Sequence, residues 1–113
     1  MPDNESLLKD IAQGDKNTLQ RLYTVVFPKV YSFVLKNNGN QEDAEDVFQK
    51  ALMQIIARYR LKGLAINSSF EAFLFTACRN LWRRELNKRK KVVTNQEVVE
   101  LYNEADDMTA ATL

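Results

Sequence analysis

Apolar residues recur every three or four positions through most of the first 91 residues, the spacing of helices with one buried face, and nothing alternates as a strand would. From Glu5 to Gln13 the apolar set is Leu7, Leu8 and Ile11, with Asn4 as the cap and Gly14 as the stop. Asp15 opens a second helix carrying Leu19, Leu22, Tyr23, Val26, Phe27, Val30, Phe33 and Val34. Pro28 falls inside this pattern; because the spacing continues on both sides, it predicts a kink rather than two elements. Lys36 to Asn40 is a stop and restart, with Gly39 suited to a positive φ. Asn40 and Asp43 have the spacing of a reciprocal cap, and Glu42 adds negative charge to the first turn. The third helix that follows carries one stripe of Ala44, Val47, Phe48, Ala51, Leu52, Ile55, Ile56 and Tyr59. Arg60 to Ser68 reads as the one substantial interior loop, although its Leu61, Leu64 and Ile66 are costly to leave wet. Ser69 caps the last helix, whose inner face holds Phe70, Phe73, Leu74, Ala77, Leu81 and Trp82. The expected fold is all-α, a small helical bundle with no sheet.

The chain has 113 residues and 45% apolar content, enough for one domain with one core. Its formal charge of +1 hides a strong segregation: residues 1–57 carry a net −2, 58–91 a net +8, and 92–113 a net −5. Within the basic block, Arg79, Arg83, Arg84, Lys88, Arg89, Lys90 and Lys91 load the second half of the last helix. One or two cations there would complement the helix dipole, but seven within thirteen positions repel one another and ask for an anionic partner or a solvated, frayed end. Beyond that helix, Val92–Tyr102 has the composition of a short docked helix and 106–113 that of a loose end.

Cys78 is the only cysteine and there is no histidine, so an internal disulfide and a Cys/His metal set are both excluded. Cys78 sits among inner-face residues, where a buried thiol is the expectation. No Gly-rich phosphate loop or nucleophile elbow is present, and neither an enzyme nor a cofactor is expected. Asp43 and Asp46, one turn apart beside Glu42 and Glu45, supply at most half of a metal site; a solvated helix start and a protein-docking surface are the competing readings. No apolar run approaches membrane-spanning length and no secretion signal opens the chain, so a soluble, cytoplasmic protein without membrane insertion is expected.

The basic end has the composition of a nucleic-acid binder, because Arg and Lys contact phosphates while helical Arg or Asn can reach base edges. Asn80, between Arg79 and Arg83, is the polar residue best placed to read a base. Tyr59, Phe70, Phe73, Phe75 and Trp82 are available for stacking; Phe70 and Phe73 read mainly as core, whereas Phe75 and Trp82 fall on the flanks of the apolar face.

At this point the residues become recognisable. Asp43-Ala44-Glu45-Asp46-Val47-Phe48-Gln49-Lys50 resembles the DAEDVxQE signature of bacterial sigma-70 family factors of the extracytoplasmic-function (ECF) group. Ser69-Phe70-Glu71-Ala72-Phe73-Leu74, followed by Ala77-Cys78-Arg79-Asn80, is similar to the family's SFxAWLxxIARN. Gly14-Asp15 with Leu19, Leu22 and Tyr23 looks like its first conserved region, so the resemblance spans about residues 5–91 in order. It implies the helical region 2 domain of a sigma factor over residues 1–91, with 92–113 as an acidic tail or the start of a linker. By correspondence, Asp43, Asp46, Gln49, Lys50 and Met53 would lie in or near the surface that docks on the clamp helices of the largest catalytic subunit of core RNA polymerase. The loop and the last helix would recognise and melt the −10 promoter element, chiefly through its non-template strand. Arg60, Lys62, Arg79, Asn80, Arg83, Arg84 and Lys88 would supply the DNA contacts. An anti-sigma factor is a further partner that the resemblance allows. The alternative is a sigma-like interaction module that binds polymerase or an anti-sigma factor without productive DNA recognition.

Several positions depart from the family pattern. Lys50 stands where Glu is frequent, Ile56 and Phe73 where Trp is usual, and Arg84 where many members have Asp. After Lys91 only 22 residues remain, too few for the helix-turn-helix domain that completes such a factor, so the expectation is region 2 alone.

Overall fold

A computed structural model describes the backbone of residues 3–94 and the side chains of 3–90. Four helices follow one another: α1 (Asn4–Ala12), α2 (Lys16–Lys36), α3 (Gln41–Lys62) and α4 (Phe70–Thr94). No strand occurs among the described residues. The chain divides into two compact units, Met1–Trp82 and Arg83–Leu113. The first holds α1, α2, α3 and the opening turns of α4, and it contains the core.

Each helix begins where a short polar side chain can occupy orphan N–H groups. Asp15 caps α2 by accepting from the Thr18 N–H at 3.0 Å and the Thr18 hydroxyl at 2.6 Å, bonds that hold its carboxyl below the ordinary value of 3.8. Asn40 and Asp43 form the reciprocal box expected of them at the head of α3. At α1 the cap is Asp3, one residue earlier than the sequence suggests; it accepts from the Ser6 N–H at 2.8 Å, and Asn4 is already helical. Both residues are good caps, and the difference is tertiary: the Asn4 amide is used elsewhere, as described below.

Pro28 does not divide α2, which is one helix of 21 residues with Pro28 on its exposed side. The carbonyl four residues back, on exposed Thr24, loses its helical donor on the side open to water. The turn into α3 corrects a second expectation. The left-handed residue is Asn38 (φ 69), not Gly39. Gly39 is required for a different reason: a Cβ there would lie 2.6 Å from the Trp82 ring and closer still to Val34. At the far end, Arg60, Leu61 and Lys62 continue α3 instead of opening the loop, and Gly63 (φ 73) stops it, its N–H bonded to the Tyr59 carbonyl at 2.9 Å.

α2 and α3 are joined by an aromatic seam. Tyr23 stacks on Phe27 at 4.6 Å, and Phe48 from α3 meets both rings edge-on at 5.7 Å. In α4 the fully buried line is Phe70, Leu74, Cys78 and Trp82, each at 1% exposure or less, while Phe73, Ala77 and Leu81 are half-buried. These four residues repeat every fourth position, a row along the helix that is narrower than the face the sequence suggests. Trp82 therefore belongs to the core and is not a stacking platform; its indole N–H donates to the Asn37 carbonyl at 3.0 Å. α4 runs through Lys91 to Thr94, so the expected tail begins inside the helix; the rest of Val92–Tyr102 and 106–113 lies outside the described residues.

Candidate protein and nucleic-acid interface

The outer side of α3 follows from its buried side. Ala44, Val47, Phe48, Ala51 and Ile55 face the core, which leaves Asp46, Gln49, Lys50 and Met53 exposed at helical spacing. Asp46 pairs with Lys50 at 3.0 Å, four residues on, and both side chains are more than half exposed. Such a pair contributes about 0–1 kcal/mol, so its carboxylate is inexpensive to redirect toward a partner. Met53, at 69% exposure, presents a flexible apolar side chain beside these charges. Asp43 differs from them. It is half-buried, and its carboxylate accepts from the Asn40 N–H at 3.0 Å, so it holds the head of the helix.

Next to this face lies a groove of about 570 Å³ between α2 and α3, lined by Lys16, Leu19, Gln20, Tyr23, Glu45, Phe48, Gln49 and Leu52. Only Gln49 of these was marked by sequence. Tyr23, 41% exposed, and half-buried Leu52 looked like ordinary members of apolar stripes, and nothing in the periodicity distinguishes a stripe's rim from its centre.

The second group of residues gathers where α3 ends and α4 begins. Arg60 is on the last turn of α3, and its guanidinium donates to the Ala12 carbonyl at the end of α1. Lys62 is exposed, and Leu61, at 82% exposure, is the most exposed of the large apolar residues described. The connecting segment 63–69 passes half-buried Leu64 and Ile66 to reach Ser69, whose hydroxyl accepts from the Ala72 N–H at 3.2 Å and starts α4. Under its end lies a hollow of about 640 Å³ lined by Asp3, Asn4, Leu7, Arg21, Val25, Ser68, Ser69, Phe70 and Glu71. It has the size of a small-ligand site, an apolar floor and several polar groups at its walls. The contributions from α1 and α2 were not legible in sequence, because no local signal says which helix sides flank a loop.

Farther along α4, Arg79 is half-buried, with its Nε enclosed and lacking a hydrogen-bond partner, while Asn80 is exposed. Cys78, between Ala77 and Arg79, is buried, and burial pushes its thiol up to about 12, which removes it as a nucleophile. Phe75 is half-buried against Phe33 in an edge-to-face pair at 6.1 Å. Arg83, Arg84 and Lys88 belong to the second unit and are exposed there. Among the described residues no three His, Cys, Asp or Glu side chains converge in a way that could hold a metal ion. No described helix is long and apolar enough to cross a membrane.

The family model described as Sigma-70 region 2 matches residues 22–92, which include every residue marked above for protein or DNA contact. The ECF RNA polymerase sigma factor EcfG of Rhodopseudomonas palustris (strain TIE-1) is 30% identical over 70 residues, which cover 62% of this chain and 38% of the relative. The ECF RNA polymerase sigma factor SigW of Bacillus subtilis (strain 168) is 25% identical over 83 residues, which cover 74% of this chain and 43% of the relative. The chain thus matches less than half the length of either of these curated relatives. No solved structure gives a significant match.

Proposed function

Because the chain belongs to the sigma-70 family, ECF group, through its region 2, we propose that it docks on core RNA polymerase and recognises and melts the −10 promoter element. The docking surface is the exposed face of α3, with Asp46, Gln49, Lys50 and Met53 meeting the clamp helices and Asp43 acting chiefly by holding the helix start. The promoter side comprises the loop 63–69, the hollow beneath it, and Arg79 and Asn80 on α4, with Arg60 and Lys62 attracting phosphates; Arg83, Arg84 and Lys88, in the second unit, attract phosphates there. No catalytic group is required, since melting is driven by binding. Unstacking a base costs a few kcal/mol, and capture of the extruded base by protein recovers about 1–3 kcal/mol for each stacked base.

The observation that carries this reading is the charge division along the matched residues. α3 opens with Glu42, Asp43, Glu45 and Asp46, whereas residues 58–91 hold ten basic and two acidic residues. The first set repels DNA and suits a basic protein surface; the second attracts phosphate.

Two substitutions separate base reading from phosphate attraction. Asn80→Ala is expected to reduce the preference for a −10-like single strand over a scrambled one by about 5- to 100-fold, the worth of one good base contact. Arg83→Ala should instead weaken both strands alike and lower the dependence of log affinity on log salt by about 0.7. Fluorescence anisotropy with the two oligonucleotides at several salt concentrations measures both. The opposite ranking would exchange the roles, and equal wild-type affinity for the two strands would reject specific recognition.

A further inference from the structure

The segment 63–69 has little backbone bonding of its own. Among the described residues, its backbone–backbone hydrogen bonds lie at its ends, from Gly63 N–H to the Tyr59 carbonyl and from Phe73 N–H to the Ser69 carbonyl. Between those ends, two carbonyls are held by one side chain: Asn4 Nδ2 donates to Ile66 at 3.2 Å and to Ser68 at 2.8 Å. The two N–H groups of one amide are thus shared between carbonyls two residues apart, a geometry that fixes the local course of the chain. We infer that Asn4 is the positioning residue of this loop, and that α1 serves as the brace which sets the loop and the hollow beneath it for the −10 strand. This rests on the promoter-reading role proposed above.

A brace must itself be anchored, and α1 is. Leu7, Leu8 and Ile11 are buried along one side. That buried side is the anchor; the Tyr59 hydroxyl, which donates to Glu5 at 2.9 Å, and the Arg60 guanidinium, which donates to the Ala12 carbonyl, only add exposed ties from α3. Asn4 also lines the hollow together with Ser68, Ser69 and Phe70, so the residue that bonds the loop is itself part of the hollow's wall. Asp3 performs the capping that Asn4 would otherwise do, which leaves the amide available. Asn4 lies before residue 22, where the family match begins, so the brace comes from outside the matched region.

Asn4→Asp is the sharpest probe: it keeps the shape, removes both donors and sets a carboxylate against two carbonyl oxygens. Glu5→Ala is the control, since it removes a neighbouring tie to α3 without touching the loop. Backbone order parameters of 64–69 by NMR, and the preference for a −10-like over a scrambled strand, are the two readouts. With Asn4→Asp the loop order parameters should fall and the preference should drop about 5- to 20-fold, with affinity for core polymerase unchanged. Glu5→Ala should leave both readouts at wild-type values. Unaltered loop order in Asn4→Asp, or the same changes in Glu5→Ala, would overturn the inference. If the wild-type chain shows no strand preference while Asn4→Asp alone loosens the loop, the promoter reading fails and the positioning of the loop by Asn4 stands.

Discussion

Trp82→Ala is expected to cost about 3–5 kcal/mol, a large part of the stability of a domain this size. The indole is the largest fully buried side chain, at 1% exposure, and it closes the row Phe70, Leu74, Cys78 and Trp82 that fastens α4 to the bundle. Truncation would open a cavity beside Val34 and Gly39 and leave the Asn37 carbonyl without its donor. Trp82→Phe retains most of the ring volume and should cost less, about 1–2 kcal/mol, for the lost N–H and a smaller void. Urea unfolding of the three proteins gives the comparison directly. A loss below about 1 kcal/mol for the alanine variant would mean that α4 is held by something other than this row.

Asp46→Arg is expected to weaken binding to core polymerase by about 10- to 100-fold with the fold intact. In the free chain Asp46 is exposed and forms a surface pair with Lys50, so the reversal sacrifices an interaction worth at most about 1 kcal/mol. In the complex it would place a cation against a surface suited to acidic residues. Asp43 is a poorer probe although it carries the same charge three residues earlier. Its carboxylate closes the capping box at the head of α3, so Asp43→Ala would lower stability and confound any loss of binding. Surface binding assays with immobilised core enzyme, paired with thermal melts, separate the two effects. Unchanged affinity for Asp46→Arg would reject α3 as the docking face.

What was legible in the sequence is what local rules decide. The period of the apolar residues placed four helices, and Asp15 and the Asn40–Asp43 pair marked two starts, because capping depends only on residues three positions apart. What was not legible depends on partners distant in the chain. Gly39 carried the right identity for the wrong reason: Asn38 takes the positive φ, and Gly39 admits a tryptophan more than 40 positions away. Asn4 looked like a cap and is a tether to carbonyls at 66 and 68. Trp82 was read on the flank of the apolar face, yet a row at every fourth residue carries it inward with Cys78. Arg60 was marked for DNA through the family resemblance, and its guanidinium also donates to the carbonyl at the end of α1. The exposed face of α3 proposed for docking was recoverable as the complement of a buried stripe. The hollow at the head of α4 was not, because three separate elements and a loop enclose it.

The central claim is that one chain joins polymerase to −10 DNA, and a ternary measurement tests it most directly. A labelled −10-like non-template strand and a scrambled strand are each titrated with core polymerase, in the presence and absence of this protein. The account predicts that polymerase gains affinity for the −10-like strand only when the protein is present, and that the scrambled strand gains far less. Equal retention of both strands by polymerase, with or without the protein, would contradict it.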